Sequence, residues 1–241
     1  MFLNSSPLPR FVVSVQAEDH EPLAPTMVML ALCESVLAGG AEGLRLANLD
    51  LIRQVKQKYP KLPIIGLHKP YPLPTHPKEV VYITRRLEDA LALAEAGADI
   101  VALDATPRPR EASLAEIVTA VKDAFPNVKI MGDVDSIESA HFAVDAGVDI
   151  LSSTLNGYTI ETQDAPTDSP NFAFLEDLVK TFPTLPVYLE GRVWDVEDVH
   201  RGLALGAYGV VIGSAITRPH QITARFKEGF SSTFKNLTQS D

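Results

Sequence analysis

Cysteine is nearly absent: the 241-residue chain has one, Cys33, which excludes an intrachain disulfide framework and any cysteine-rich metal site. A reducing compartment follows as the expectation, and Cys33, in an apolar helical pattern, reads as a packing residue. Basic charge is also short. Against 31 Asp and Glu there are 21 Lys and Arg, a formal net charge of −10 with no basic run, which argues against a nucleic-acid backbone as partner. Nowhere do about 18 apolar residues run together, so no membrane partner is expected. The opening "MFLNSSPLPR" has no basic segment leading into an apolar stretch, and the cytoplasm is the expected location. None of the six histidines pairs with a carboxylate at a zinc-binding helical spacing, so no metal is expected.

What the chain does have is a rhythm. Four stretches repeat a small residue, a glycine, a spacer and an apolar run: "LAGGAEGLRL" ending at Leu46, "EAGADIVALDA" at Ala105, "DAGVDILSST" at Thr154 and "ALGAYGVVIGS" at Ser214. Each follows an amphipathic helical segment. A glycine past a helix end supplies the left-handed residue that closes it, and the apolar run then reads as a strand. Gly40, Gly97, Gly147 and Gly206 mark the joints, at intervals of 57, 50 and 59 residues. Further strand candidates lie between them at 11–16, 63–68, 128–134 and 186–191, which makes eight.

Eight near-continuous apolar strands alternating with helices predict an α/β chain forming a single (β/α)8 TIM barrel over 1–231, followed by a polar C-terminal tail at 232–241. An open doubly wound sheet competes. Against it, no G-x-G-x-x-G follows the first strand, and the first connection, "QAEDHEPLAPT", is long and proline-bearing. The irregular stretches 69–84 and 156–170 both follow strands and belong at the C-terminal mouth, where loops shape a ligand site.

Every strand end carries a polar group: Gln16, Arg45, Lys69, Asp104, Asp133, Thr154, Glu190 and Ser214. Strands 3 and 7 face each other across an eight-stranded barrel, so Lys69 and Glu190 can approach one small molecule from opposite sides. Taken singly, Asp104 or Thr154 reads as a hydrogen-bonded core polar or a rim ion pair. His68, next to Lys69, points to the opposite face and packs outward against a helix. The loops after strands 7 and 8, "EGRVWDVED" and "GSAITRPHQIT", occupy the usual phosphate position of such barrels. There Gly191 and Gly213 admit backbone N–H groups, Ser214 follows, and Arg192 and Arg218 carry charge for phosphate oxygens, Arg218 having the alternative of capping neighbouring carbonyls.

The ordered segments "FVVSVQA", "GGAEGLRL", "PIIGLHK", "VYIT", "ALDATPRPR", "GDVDSIE", "STLNGYT", "LEGRVWD" and "VVIGSAITRPHQIT" resemble the successive motifs of the N-acylglucosamine-6-phosphate 2-epimerase family, from about residue 11 to 226. "TLNGYT" and "GSAITRP" are the most distinctive. The resemblance implies interconversion of N-acetylmannosamine 6-phosphate and N-acetylglucosamine 6-phosphate in sialic acid breakdown, by a cofactor-independent barrel that pairs into homodimers and binds a phosphorylated N-acyl hexosamine. It implies that Lys69 matches the family's catalytic lysine and Glu190 its partner carboxylate, with Tyr158 at a family position. The chain departs from the family after Lys69, where "PYPLPTHPKEV" is longer and richer in proline, and at "GDVDS", which sets Asp135 beside Asp133.

Epimerisation next to a carbonyl needs a base, an acid and a stabiliser for the enolate, and a pyranose must first open. On that chemistry Lys69 transfers the proton at C2 and Glu190 acts at the ring oxygen or O1. Gln16, Arg45 and Asp133 then orient hydroxyls or the N-acyl group. Two other classes remain open at this point: a Schiff-base aldolase or synthase in which Lys69 attacks a carbonyl, and a sugar-phosphate-binding barrel without turnover.

Overall fold

The computed structural model describes residues 8–238, with side chains described through residue 231. Eight parallel strands close into a barrel in sequence order, β1-β2-β3-β4-β5-β6-β7-β8, each hydrogen-bonded to its sequence neighbours and β8 to β1. They are β1 Phe11–Val15, β2 Gly43–Leu46, β3 Ile64–Gly66, β4 Ile100–Asp104, β5 Lys129–Asp133, β6 Ile150–Ser152, β7 Val187–Glu190 and β8 Gly209–Ile212. Around them run α1 Thr26–Ala38, α2 Leu49–Lys58, α3 Leu87–Glu95, α4 Leu114–Ala124, α5 Ile137–Asp145, α6 Phe172–Thr181 and α7 Val196–Ala204, then a short α8 Ser214–Thr217 and α9 Pro219–Thr238. The (β/α)8 expectation is met, and the open sheet is excluded by the β1–β8 ladder. No helix among the described residues is long and apolar enough to cross a membrane.

The repeated glycine joints have one geometry. Gly40, Gly97, Gly147 and Gly206 all have positive φ, between 91° and 102°. In each the glycine N–H and the next N–H return to helix carbonyls in the Schellman pattern, as with Gly40 to Leu37 at 3.0 Å and Ala41 to Val36 at 3.1 Å. Those bonds satisfy carbonyls the helix end would otherwise strand, and the chain leaves aimed into the next strand. Helix starts are fixed by capping boxes at Ser113 with Glu116, Ser136 with Ser139 and Asp195 with Asp198.

Alternate strand residues face two separate cores. Outward ones such as Leu44, Ile64, Val101, Ile130, Leu151 and Leu189 pack under the helices. Inward ones, among them Val12, Ile65, Leu67, Ile100, Met131 and Val211, fill the barrel as a solid plug. Above that plug the inward positions turn polar, with Ser14, Arg45, Asp104, Asp133 and Ser152 all buried. The floor of the mouth is set there.

Several strands stop before the expected ends. β6 gives way at Ser153 to a 3-10 turn over Ser153–Leu155, because the Ser153 hydroxyl replaces ladder partners, accepting from Glu190 N at 3.1 Å and donating to Glu190 O at 3.0 Å. β8 ends at Ile212, and Ser214 opens α8. α9 continues through Thr238, past the point where the sequence marks a polar tail; residues 239–241 of that tail lie outside the described residues.

Candidate active site

The ladder of β3 runs one residue past the strand, with Leu67 N–H on Leu46 O at 2.9 Å. His68 then exchanges two bonds with Thr84: its N–H reaches Thr84 Oγ1 at 2.9 Å, and Thr84 N–H reaches its carbonyl at 2.7 Å. This exchange holds Thr84 at φ 45°, an uncommon conformation for a β-branched residue. With its backbone fixed there, His68 lies against α3, Nδ1 3.4 Å from Asp89, as its strand parity predicts. Lys69, on the opposite parity, lines the mouth. A buried strand thus stops at a lysine because the next inward position opens into a cavity.

That cavity measures about 390 Å³ and takes Lys69 and Glu190 into one lining, from strands opposite each other. Gln16, Thr154 and Tyr158 also line it, as do Gly191, Arg192, Gly213, Ser214 and Arg218. Among the described residues the Lys69 ammonium has no hydrogen bond or ion pair. Burial pushes its pKa down to about 8, with the nearby cations Arg45 and Arg218 adding to the shift and Glu190 and Asp133 opposing it.

Beneath the cavity lies a charged layer. Arg45, 1% exposed, grips Asp133 with both terminal nitrogens, at 3.1 Å and 2.6 Å, and reaches Glu190 Oε2 at 3.0 Å. Thr154 Oγ1 sits 2.8 Å from Asp133 Oδ1 and 3.1 Å from Glu190 Oε2, with Ser152 Oγ 2.8 Å away. A hydroxyl has one proton and two lone pairs. With Glu190 ionised, Thr154 can donate to it; with Glu190 protonated, Glu190 can donate to Thr154 and Thr154 to Asp133. The carboxyl is therefore held in either protonation state. Burial raises the Glu190 pKa above the carboxylate range and Asp133 adds to that; Arg45, Thr154 and Lys69 pull the other way. Arg45 and Asp133 line no part of the cavity and fix Glu190 from below, a different place from the hydroxyl-orienting one the sequence reading gave them.

In the turn after β7, Gly191 and Arg192 both have positive φ, 104° and 58°. The turn sends the Arg192 guanidinium over the Tyr158 ring at 4.5 Å and onto Asn156 O at 2.9 Å. Gly157 is required by that packing, since a Cβ there would sit 2.3 Å from Arg192 Nη2. Arg218 pairs with Glu21 of the first connection at 2.8 Å rather than capping carbonyls. α8 is tied to β1 by Thr217 Oγ1 on Ser14 O at 2.7 Å.

Asp104 is the buried, ion-paired residue that it reads as when taken singly, but two partners went unread in the sequence, Arg108 and Thr159. Asp104 is a structural residue, paired with Arg108 at 2.6 Å, and Arg108 Nη1 donates to the carbonyls of Lys78 at 3.0 Å and Val80 at 2.9 Å. The Lys78 carbonyl also accepts Ile160 N–H at 3.1 Å, a direct backbone tie between the 69–84 and 156–170 loops that Arg108 braces on the 69–84 side. Asp135 accepts Thr159 Oγ1 at 2.6 Å and holds "LNGYT" in place, away from the Asp133 network. The proline-fixed spacing of "DATPRPR" was the visible signal for the first of these. Ser14, two residues before Gln16 and on its face, was available by parity.

A (β/α)8 barrel that confronts an unpaired amine with a buried carboxyl over a sugar-sized mouth, beside two glycine turns, belongs to the acid–base class of phosphate-binding barrels. A family model described as "Putative N-acetylmannosamine-6-phosphate epimerase" matches residues 27–232. The chain belongs to this epimerase family. Two relatives are named "Putative N-acetylmannosamine-6-phosphate 2-epimerase". One, from Listeria monocytogenes serotype 4b (strain F2365), is 36% identical over 217 residues, covering 89% of this chain and 91% of that one. The other, from Shouchella clausii (strain KSM-K16), is 38% identical over 220 residues, covering 91% and 94%. The solved N-acetylmannosamine-6-phosphate 2-epimerase from Clostridium perfringens superposes with a TM-score of 0.82 at 34% identity, over 91% of this chain and 92% of that one. Thiamine phosphate pyrophosphorylase from Pyrococcus furiosus, at 19% identity and TM-score 0.53, shares the fold alone.

Proposed function

We propose that this protein interconverts N-acetylmannosamine 6-phosphate and N-acetylglucosamine 6-phosphate by removing and returning the C2 proton, without a cofactor, in the breakdown of amino sugars. The observation that carries the reading is the common cavity of Lys69 and Glu190, which also contains the two glycine turns after β7 and β8. The sugar lies with its phosphate toward Gly191, Arg192, Gly213, Ser214 and Arg218, and C1–C2 between amine and carboxyl.

In the chemistry proposed, protonated Glu190 gives its proton to the ring oxygen as the C1–O5 bond breaks, and the carboxylate so formed takes the O1 proton, which leaves an open-chain aldehyde. Neutral Lys69 takes the C2 proton, and the electron pair moves through C2–C1 onto O1. A water gives a proton to the opposite face of C2 as the electron pair returns from O1 and remakes the aldehyde, the hydroxide left takes the proton from Lys69, and in ring closure Glu190 protonates O1 and takes the O5 proton as O5 attacks C1. A lysine at about 8 has a useful neutral fraction near neutral pH, where an ordinary one has almost none. Cys33, a free buried thiol, supports the cytoplasm as location, and the homodimer is proposed from the family.

The test is turnover of N-acetylmannosamine 6-phosphate in D2O followed by NMR. Product carrying deuterium at C2 is expected; substrate that binds without exchange or turnover overturns the proposal. Inactivation by borohydride only in the presence of substrate would instead mark a Schiff base on Lys69.

A further inference from the structure

The connection from β1 to α1 returns to the mouth through consecutive turns. Glu21 N–H bonds Glu18 O at 2.8 Å and Ala24 N–H bonds Glu21 O at 3.0 Å, which fixes the backbone on both sides of Glu21. The Glu21 side chain, 12% exposed, lines no part of the cavity that holds Lys69 and Glu190. Its carboxylate instead accepts from Arg218 Nη1 at 2.8 Å. His220 Nε2 stands 3.9 Å from the same oxygen, beyond hydrogen-bond length, so the arginine is the partner. Arg218 is anchored through its backbone as well: its carbonyl accepts from Gln221 N–H at 3.0 Å and Ile222 N–H at 3.1 Å, in the first turn of α9. Only one nitrogen of its guanidinium is engaged. The Nε–Nη2 edge has no partner among the described residues, and Arg218 lines the cavity.

We propose that Glu21 is a positioning residue, which holds the Arg218 guanidinium by Nη1 so that its opposite edge meets the phosphate of the substrate. The inference rests on the phosphate placement in the proposed function. Charge alone argues against a carboxylate here, because it weakens the pull of Arg218 on a dianion. Geometry argues for it. A guanidinium presents its N–H groups in a rigid fork, and along the Nε–Nη2 edge it bonds two oxygens at once. An arginine free to sample rotamers loses that freedom when the anion binds, whereas one already clamped lost it on folding. The carboxylate engages the nitrogen farthest from the free edge, so it fixes the fork without occupying the donors an anion needs. Orientation therefore outweighs the charge that Glu21 offsets, and removing Glu21 weakens phosphate binding although it makes the site more positive.

The experiment measures Kd for inorganic phosphate by calorimetry, and KM and kcat for N-acetylmannosamine 6-phosphate. The intact chain is compared with Glu21→Ala, Glu21→Gln, Arg218→Met and the double variant Glu21→Ala with Arg218→Met. Glu21→Ala is expected to raise the phosphate Kd and the KM together by about tenfold, the size of one lost charge-assisted hydrogen bond, with kcat within about threefold. Glu21→Gln, whose amide oxygen still accepts from Nη1, raises both by only about threefold, and is the variant to read should Glu21→Ala not fold. With Arg218→Met already in place, Glu21→Ala adds less than about twofold. Tighter phosphate binding in either Glu21 variant overturns the proposal, because Glu21 then competes with the anion for Arg218. Unchanged binding overturns it too, as does a Glu21→Ala effect undiminished by Arg218→Met, which would place its action in the fold. A KM unchanged in Arg218→Met overturns it and leaves the epimerase reading standing. If the intact chain does not turn the sugar phosphate over, the epimerase reading fails, and the phosphate Kd values still decide the role of Glu21.

Discussion

The two sides of the mouth are built to opposite rules. On the β5–β7 side the carboxyl is over-determined: Glu190 meets Arg45 and Thr154 from its side chain and Ser153 from its backbone, with Asp133 locking Arg45 in turn. On the β3 side the amine has no hydrogen bond or ion pair among the described residues, on a proline-rich loop braced from a distance by Arg108. The difference teaches how one small cavity can serve both halves of the proposed acid–base reaction: the proposed acid is tuned by bonds, and the proposed base by burial.

The sharpest way to break this comparison is to replace the amine by hydrocarbon. Lys69→Met is expected to lower kcat by about 10³-fold or more, within the range for a lost general base, and to abolish C2 exchange. The same change should stabilise the fold. The folded amine holds its proton less tightly than the unfolded chain, with a pKa near 8 against 10.5. The penalty is therefore fully present below about 8 and disappears as pH rises toward 10.5. Denaturant unfolding at pH 7 should show Lys69→Met gaining up to about 3 kcal/mol, and the gain should vanish near pH 10.5. A loss of stability at pH 7 would mean the amine is paired after all.

The opposite outcome is expected on the carboxyl side. Arg45→Met leaves Asp133 buried without its cation, and removing one partner of such a pair costs about 3–5 kcal/mol. Glu190, freed of the guanidinium, becomes harder to ionise, and Lys69 loses a repelling cation while Asp133 and Glu190 still attract its proton. Its pKa rises, so the acid limb of the kcat/KM profile moves to higher pH and activity at neutral pH falls about tenfold or more. If the limb stays fixed while stability drops, Arg45 only braces the fold.

Much of this was legible in the sequence, and for identifiable reasons. Four glycines at helix ends announced four of the eight strands because the left-handed closure has a residue signature. Parity along "IIGLHK" placed Lys69 inward and His68 outward, since a strand alternates regardless of where its ladder ends. Parity also turned Arg45 and Asp133 inward, but could not say at what depth. Whether an inward side chain meets ligand or another side chain depends on strand stagger around the barrel, which one sequence does not display. The loop clamp was hidden for a related reason: Arg108 bonds to carbonyls, and a carbonyl has no letter of its own.

Arg108 offers the next sharpening, with a smaller effect. Arg108→Met removes donors from the 77–80 carbonyls without touching the cavity lining. The 69–84 loop loses this brace while the bond from Ile160 N–H to the Lys78 carbonyl stays, so the geometry around substrate loosens before the chemistry does. A KM increase of about tenfold with kcat changed less than about threefold is expected, the size of one or two lost hydrogen bonds to a charged group. Arg108→Lys should restore little, because a single ammonium cannot serve Asp104, Thr106 and the carbonyls together.

The smallest effect separates backbone strain from a displaced side chain on the phosphate side. Gly157 and Gly40 both have positive φ, 83° and 99°, so an alanine at either position carries a similar backbone cost of about 1 kcal/mol. They differ in what the new methyl meets: Arg192 Nη2 at 2.3 Å for Gly157, and nothing within 4 Å for Gly40. Both variants should therefore lose comparable stability in denaturant melts, while only Gly157→Ala pushes Arg192 off the Tyr158 ring. If Arg192 binds the phosphate, Gly157→Ala raises KM for the phosphorylated sugar a few-fold and leaves kcat nearly unchanged, and Gly40→Ala leaves KM alone. Equal KM values in the two variants would remove Arg192 from the phosphate site and leave the glycine turns to hold the anion with backbone N–H groups.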